Sequence, residues 1–270
     1  MFYRDGILEK SSFLDEADLY HGFSTREGGV STLPHTATMN VAEGHGDPHE
    51  VVRENIRILA RAVSGDALDE KCVICAPQIH SAIIRSVTEA DRGSGVLLPH
   101  GGEGDGFITD IPGVLLMIRV ADCVSILYAA RRSDGSPIVC ATHAGWRGTV
   151  SGIAAEAIRR IVGMGGDIST VRCAIGQAIH PCCYEVGEDF REAVTQAQGA
   201  DFARHHIENR DGKLYADVPK MNRTILLSAG LTEEQIDVSS ACTACAPHLY
   251  HSHRASRGMR GAMGALIGIR

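Results

Sequence analysis

The distribution of apolar and polar positions predicts a chain in which strands outnumber helices. Two segments, residues 114–130 and 137–145, are apolar almost throughout, which is typical of strands covered on both faces. Shorter apolar segments bounded by turn residues predict further strands. These segments are residues 22–32 (strand, turn, strand), 71–87 (two strands around Pro77), 171–179, 236–245 and 265–269.

Helical spacing of apolar residues is clearest from Asp47 to Ser64, where Pro48 suits the first turn. Similar spacing predicts helices over Gly148–Val162, Gly187–Gln198 and Pro219–Ala229. Because strands and helices alternate irregularly, the predicted fold is α/β (α+β), with mixed β-sheets flanked by helices. The sequence contains no repeat and no linker, so we expect residues 1–270 to form a single domain.

Composition and charge narrow the classes of function. The chain is 44% hydrophobic and 22% charged, as in an ordinary globular protein. Its net charge of -7 argues against nucleic acid as a partner, although a local basic pocket for one anion remains compatible with it. The longest apolar run is interrupted by Arg119 and Asp122, and acidic residues occupy the N-terminus, so we expect no membrane association and a cytoplasmic location.

Nine cysteines do not form the spacing of a small disulfide scaffold, so in a reducing compartment we expect thiols. Cys72 and Cys75 form one CxxC pair, and Cys242 and Cys245 form another. The gap between the pairs is far longer than in a structural zinc site, which favours buried thiols. The second pair precedes His248, so a second metal site there is left open.

Three residues stand out as a candidate metal site. Cys123 follows Asp122 in a predicted apolar strand, His143 lies where the next strand ends, and His80 is predicted to lie in a third strand. Two imidazoles and one thiolate suit zinc and leave a fourth position open for water or substrate. Spacing alone does not exclude the simpler interpretation, in which these are ordinary core or turn residues.

A series of motifs from Gly22 to the C-terminus resembles the laccase-domain family, also called multicopper polyphenol oxidase-like proteins. In chain order the motifs are GFSTREGGVS, TMNVAEGHGD, QIHS, GDGFITD, ADCVSILY, THAGWRGT, IGQAIHPCCYEVGEDF and CT…HSHR. The resemblance implies one zinc ion per chain, bound by His80, Cys123 and His143. It also implies purine nucleoside phosphorolysis (adenosine, inosine and methylthioadenosine) and adenosine deamination, with nucleoside and phosphate as small-molecule partners. The oligomeric state is expected to be a monomer or a small homo-oligomer.

The family name suggests a copper oxidase. A multicopper oxidase requires a type-1 copper and a trinuclear cluster rich in histidines, which one His-Cys-His site does not supply. We therefore expect zinc rather than copper, and no laccase activity.

Several further residues are candidates for binding a nucleoside or catalysing its reaction. Arg147, at the start of a predicted helix, is a candidate for holding phosphate. Asp105 is a candidate general acid or base, or a group that orients a ligand, with a turn-capping role as the alternative. Candidate substrate-binding residues are Arg26, Asn40, Gln78 (predicted to share a strand face with His80) and Arg254. Asp122 either orients a metal-bound histidine or points away to satisfy backbone groups.

Two alternatives to the nucleoside enzyme remain. The first is a Cys-His hydrolase or amidase that edits peptidoglycan precursors, with Cys123 as nucleophile and His143 as base. It draws on a resemblance to the catalytic-domain fold of the cytotoxic necrotizing factor deamidases, which use such a pair. The second is a zinc-binding protein without enzymatic activity.

Overall fold

The computed structural model describes all 270 residues, in fifteen strands and six helices. The strands are β1 (Phe2–Asp5), β2 (Leu8–Ser11), β3 (Leu19–Ser24), β4 (Val73–Ile74), β5 (Ile84–Ser86), β6 (Gly106–Thr109), β7 (Leu115–Val120), β8 (Val124–Arg131), β9 (Pro137–Ala144), β10 (Arg172–Ile175), β11 (Glu185–Val186), β12 (Ile207–Arg210), β13 (Lys213–Ala216), β14 (Ile236–Val238) and β15 (Met263–Ile269). The helices are α1 (His49–Ser64), α2 (Trp146–Val150), α3 (Ile153–Gly163), α4 (Glu188–Gln198), α5 (Ala200–His206) and α6 (Val218–Ser228).

Two six-stranded mixed sheets carry the architecture. The first has the order β1-β2-β3-β15-β7-β4 and the second β14-β10-β8-β9-β6-β5, while β11-β13-β12 form a small third sheet. Most neighbours are antiparallel, but β4 with β7, β5 with β6 and β10 with β14 are parallel. The predicted mixed α+β class is confirmed.

Alternation along the central strands shows how the layers stack. Leu127 and Ala129 of β8 pack with the inner face of the first sheet, whereas Ile126 and Tyr128 pack toward α3 and α6. The outer face of the first sheet is covered in the same way by α1. Both sheets are therefore buried on two sides, which explains why their strands are apolar almost throughout.

The structure corrects several predicted elements. The helix predicted over Gly148–Val162 is two helices, because Gly152 adopts a left-handed φ of 81° between α2 and α3. No strand follows β3 within residues 25–32, and the strand predicted over 236–245 ends at Val238. The remaining predicted helices agree with α1, α4 and α6 to within two residues.

The strand placements of His80, Gln78 and Cys123 were wrong. His80 and Gln78 lie in the connection between β4 and β5, and Cys123 lies in the three-residue connection between β7 and β8. Hydrophobic content alone does not reveal these breaks, because the connections are nearly as apolar as the strands they join. None of the helices is long and apolar enough to cross a bilayer.

Candidate metal centre

The candidate site forms at one end of the two packed sheets, where the chain crosses from one sheet to the other. Cys123 lies in the crossover from β7 in the first sheet to β8 in the second. His80 lies in another crossover, from β4 to β5, and His143 is the penultimate residue of β9. Residues distant in sequence therefore converge because two crossovers and one strand end meet at the same edge.

The ligand atoms of His80, Cys123 and His143 all lie within 4.8 Å of one another. The Sγ of Cys123 is 4.0 Å from Nε2 of His80, and the two imidazole rings meet edge to face with centroids 4.8 Å apart. Zinc bond lengths place the nitrogen and sulfur ligands of a tetrahedral site about 3.6 Å apart. The three side chains are thus near the spacing at which they can hold one metal ion.

Asp105, fully buried, organises this triad. Its Oδ1 lies 2.8 Å from Nδ1 of His143 and accepts the backbone N–H of His80 at 2.9 Å. Its Oδ2 accepts the backbone N–H groups of Ile79 and Ser81 and the Ser81 hydroxyl. A proton held on Nδ1 of His143 leaves Nε2 free to bind a metal, the arrangement that carboxylates commonly impose on metal-bound histidines.

The electrostatics of the triad follow from these contacts. Burial alone would raise the pKa of Asp105, but hydrogen bonds from His143 and Ser81 lower it to about 2. Burial would also raise the pKa of Cys123, but hydrogen bonds from His143 and His80 lower it to about 6. Burial opposes charge on His143, but its bonds to Asp105 and Cys123 raise its pKa to about 9. Even without a metal the environment favours a thiolate, the form that binds one.

Gly145 leaves the space in which the three ligands meet. A Cβ atom at this position would lie 2.8 Å from Cδ2 of His80, 3.2 Å from Cε1 of His143 and 3.3 Å from Sγ of Cys123. The HAGW segment therefore needs glycine here, because any side chain would push apart the residues that converge. The donor set and this cradle together fit a small metal ion.

Two residues of the site have left-handed backbone conformations that non-glycine residues seldom adopt. His80 has a φ of 61° and Asp122 a φ of 85°. Asp105 holds the His80 segment, as described above. Asp122 accepts a 2.6 Å hydrogen bond from the Thr243 hydroxyl and a 2.7 Å bond from the backbone N–H of Arg254. Of its two predicted roles, Asp122 thus fills the second: it binds neighbouring segments and does not contact the histidine ligands.

The triad lines a cavity of about 300 Å³ that contains two arginines absent from the sequence-based prediction. Arg119 donates one N–H to the carbonyl of Ala76, and Arg260 lies with Nη1 3.4 Å from Nε2 of His45. Burial lowers the pKa of Arg260, yet both side chains face the cavity as cations. Arg119 had a signal in the sequence, since a charge inside an otherwise apolar strand demands a reason.

The candidate substrate-binding residues differ in whether they reach the cavity. Gln78 lines the cavity and forms a reciprocal pair with the backbone of Arg119, at 2.8 Å in each direction. Asn40 is fully buried and uses both ends of its amide on Asp47 and on the backbone of Ala42 and Ala262, the latter two of which line the cavity. Arg26 donates its N–H groups to backbone carbonyls and does not line the cavity.

Arg147 and Arg254 lie on the other side of Cys123, beside a small apolar recess lined by Trp146 and Tyr184. The guanidinium of Arg147 stacks on Trp146 at 4.2 Å. The guanidinium of Arg254 lies 5.1 Å from the ring of Tyr184 and donates to carbonyls of the chain around that tyrosine. The structure therefore brings Arg119 and Arg260, rather than Arg147, into the cavity that the triad lines.

Comparison with known proteins gives consistent matches across almost the whole chain. The family model described as multi-copper polyphenol oxidoreductase laccase matches residues 20–270. Purine nucleoside phosphorylase YlmD of Geobacillus stearothermophilus is 36% identical over 256 residues, which cover 92% of this chain and 89% of that protein. Adenosine deaminase RL5, from an unknown prokaryotic organism, is 29% identical and covers 88% of this chain and 89% of its own length. The crystal structure of the hypothetical protein YfiH of Bacillus licheniformis superposes with a TM-score of 0.90 at 30% identity, covering 100% of this chain and 99% of that one.

Proposed function

Because the chain belongs to the multi-copper polyphenol oxidoreductase laccase family, we propose that it is a zinc-dependent purine nucleoside phosphorylase that also deaminates adenosine. The observation that carries this proposal is one cavity that combines the His80, Cys123 and His143 triad with Arg119 and Arg260. A metal site with an open position beside two cations suits a reaction between a neutral nucleoside and phosphate. Relatives named as a purine nucleoside phosphorylase and an adenosine deaminase support the same class.

Two histidines and one cysteine suit zinc or a type-1 copper, so the choice of zinc rests on the trinuclear cluster that a laccase needs and not on the donor set. His80, Cys123 and His143 would hold the ion and leave one position for water or substrate. Zinc bound there would polarise a substrate atom or lower the pKa of a bound water toward 7. Oxidase chemistry of the laccase type requires a trinuclear cluster rich in histidines, whereas the triad supplies a single set of two histidines and one cysteine.

The chain's own residues have distinct roles in the proposed reaction. Arg119 and Arg260 would bind phosphate and orient it toward C1′ of the ribose, whose bond to the purine nitrogen breaks as the new C–O bond forms. Asp105 is too deeply buried to reach substrate, so its role is to hold His143 and the His80 backbone in place. A volume of about 300 Å³ is at the lower end of known ligand cavities, consistent with a small molecule.

The test is phosphate-dependent release of adenine from adenosine, followed by chromatography, together with metal analysis of the purified protein. We expect ribose 1-phosphate in an amount equal to the adenine and hypoxanthine released together, and inosine with an equal amount of ammonia without a phosphate requirement. His80→Ala should lose the zinc ion of the triad and the activity, whereas His205→Ala, a change at an exposed histidine of α5, should lose neither. Full activity with full zinc content in His80→Ala would refute the proposal.

One observation favours a second candidate, a Cys-His hydrolase or amidase. Cys123, with its pKa lowered to about 6, contacts His143, which is in turn oriented by Asp105, as in a nucleophile, base and orienting acid. Metal-free protein that hydrolyses a muropeptide amide, and that iodoacetamide inactivates at Cys123, would support this candidate over the first. Activity that requires zinc and resists alkylation when zinc is bound would exclude it.

A further inference from the structure

Four cysteines outside the triad form a second cluster. The sulfur atoms of Cys182, Cys183, Cys242 and Cys245 all lie within 4.8 Å of one another. The Sγ of Cys245 is 3.5 Å from that of Cys182 and 3.3 Å from that of Cys183. All four are free thiols in the structure, because a disulfide would bring two sulfurs to about 2.05 Å.

Parallel strand pairing produces the cluster. β10 and β14 are parallel neighbours, so the chain leaves both strands at the same edge of the second sheet. The pairing continues beyond the strands as a bridge between Ala178 and Cys242, and the backbone N–H of His180 points at Sγ of Cys242, 3.4 Å away. The fold therefore holds the two segments in register.

We propose that these four thiolates bind a structural zinc ion, separate from the triad. The zinc–sulfur bond length implies sulfurs about 3.8 Å apart in a tetrahedral site, close to the spacings observed. Four protein ligands leave no position for substrate, which is characteristic of a structural rather than a catalytic zinc site. The ligand set corrects the sequence-based possibility of Cys242, Cys245 and His248, since His248 is outside the cluster and the CxxC of Cys72 and Cys75 takes no part.

Nearby cations offset the negative charge of such a site. Four thiolates and one Zn²⁺ carry a net charge of about -2. Arg254 donates to the carbonyl of Cys183 at 3.3 Å, and Arg210 donates to the carbonyl of Pro181 at 3.0 Å. The N–H of His180 on Cys242 adds the kind of N–H···S bond that stabilises a thiolate.

The proposed ion would tie together two segments that form one wall of the active site. Thr243, next to Cys242, donates to Asp122, the neighbour of the triad residue Cys123. Tyr184, next to Cys183, lines the recess that Cys123 shares. Removing the ion should therefore loosen this wall without removing any ligand of the triad.

Zinc stoichiometry separates the two sites. By plasma mass spectrometry of protein purified with reductant and zinc, we expect two zinc ions per wild-type chain and one in Cys182→Ser/Cys245→Ser. Cys123→Ala should retain one, and Cys72→Ser, a cysteine outside both clusters, should retain two. If the triad binds no zinc but the four cysteines do, the wild-type chain should hold one ion and the double variant none. Equal zinc content in wild type and the double variant would overturn the four-cysteine site.

A measurement on the wild-type chain covers the case in which the double variant does not fold. Cys182 and Cys245 are exposed, so in reduced, metal-free protein iodoacetamide should reach and alkylate both. Added zinc should slow their alkylation at least tenfold, as read by peptide mass spectrometry. Cobalt in place of zinc in Cys123→Ala should give the intense thiolate charge-transfer bands of a tetrahedral site. Alkylation at the same rate with and without zinc, or a disulfide within the cluster in reductant, would overturn the proposal.

Discussion

Replacement of Asp105 by asparagine tests whether a buried carboxylate holds the metal site together. The change keeps the shape of the side chain but turns one of its two acceptor oxygens into a donor. Oδ1 lies against Nδ1 of His143 and the backbone N–H of His80, and Oδ2 against the N–H groups of Ile79 and Ser81. In either orientation the amide NH₂ therefore faces two N–H donors.

The expected magnitude follows from these contacts. With the NH₂ at the Oδ2 position, two backbone N–H groups lose their acceptor, at about 1–3 kcal/mol each. With the NH₂ at the Oδ1 position, only the N–H of His80 is orphaned, because His143 can move its proton from Nδ1 to Nε2. This second orientation costs less stability, so we expect it to dominate. It places a proton on the atom that should bind the metal, and we expect zinc affinity to fall about 100-fold, or about 2.7 kcal/mol.

The zinc affinity of the triad is measured by competition with a fluorescent chelator, and the stability of the protein by urea unfolding. The control is Asp110→Asn, the same change on a partly exposed carboxylate that pairs with Arg132 at 2.7 Å. Surface pairs of this kind contribute at most about 1 kcal/mol, and this one lies away from the triad, so zinc affinity should not change. Zinc affinity within twofold of wild type in Asp105→Asn would refute the assignment of the Nδ1 proton and of the positioning role.

Three further predictions concern the space, the stability and the cavity of the site. Gly145→Ala should lower zinc affinity at least tenfold in the same chelator assay, because its Cβ would lie 2.8 Å from one imidazole ligand; unchanged affinity would show that the site yields easily. Burial lowers the pKa of His21 to about 4, whereas in the unfolded chain this histidine takes up its proton near pH 6.5. Between pH 7 and pH 5 the unfolding free energy of wild type should therefore fall by about 2 kcal/mol more than that of His21→Gln. Equal pH slopes of the two proteins in urea titrations would contradict this. Arg260→Met should raise the KM for phosphate at least tenfold with zinc content unchanged, and an unaltered KM would exclude Arg260 from phosphate binding.

The sequence predicted most reliably what depends on local pattern. Near-continuous apolar residues indicate the strands that are buried on both faces. The helical spacing of apolar residues and the proline at its start indicate helix α1. His80 was placed in a strand because apolar residues surround it. Its left-handed φ of 61° is imposed by Asp105, which follows 25 residues later, and no local pattern carries that information.

The parts of the candidate sites that escaped prediction depend on long-range pairing. Cys182 and Cys245 are 63 residues apart and meet only because β10 and β14 pair in parallel. The CxxC spacing marked Cys242 and Cys245 but gave no sign of Cys182 and Cys183, since spacing rules describe ligands on one short segment. Arg260 belongs to the glycine-rich tail before β15, whose route past the cavity follows from the strand order of the first sheet.

The lowered pKa of Cys123 favours a thiolate with an open side on which a metal cation can bind. Two buried carboxylates lie near this cysteine, Asp122 as its neighbour in the chain and Asp105 behind His80 and His143. Hydrogen bonds satisfy each carboxylate, but the thiolate has only two imidazoles as partners, and one of these already donates to Asp105. A divalent ion on the open side of the thiolate would add positive charge beside Arg119 and Arg260, and would thereby let the cavity accept an anion close to the ion. The carboxylates hold the triad, the triad would hold the metal, and the metal would act on the anion together with the arginines. Removing the metal should therefore weaken phosphate binding as well as slow the proposed reaction.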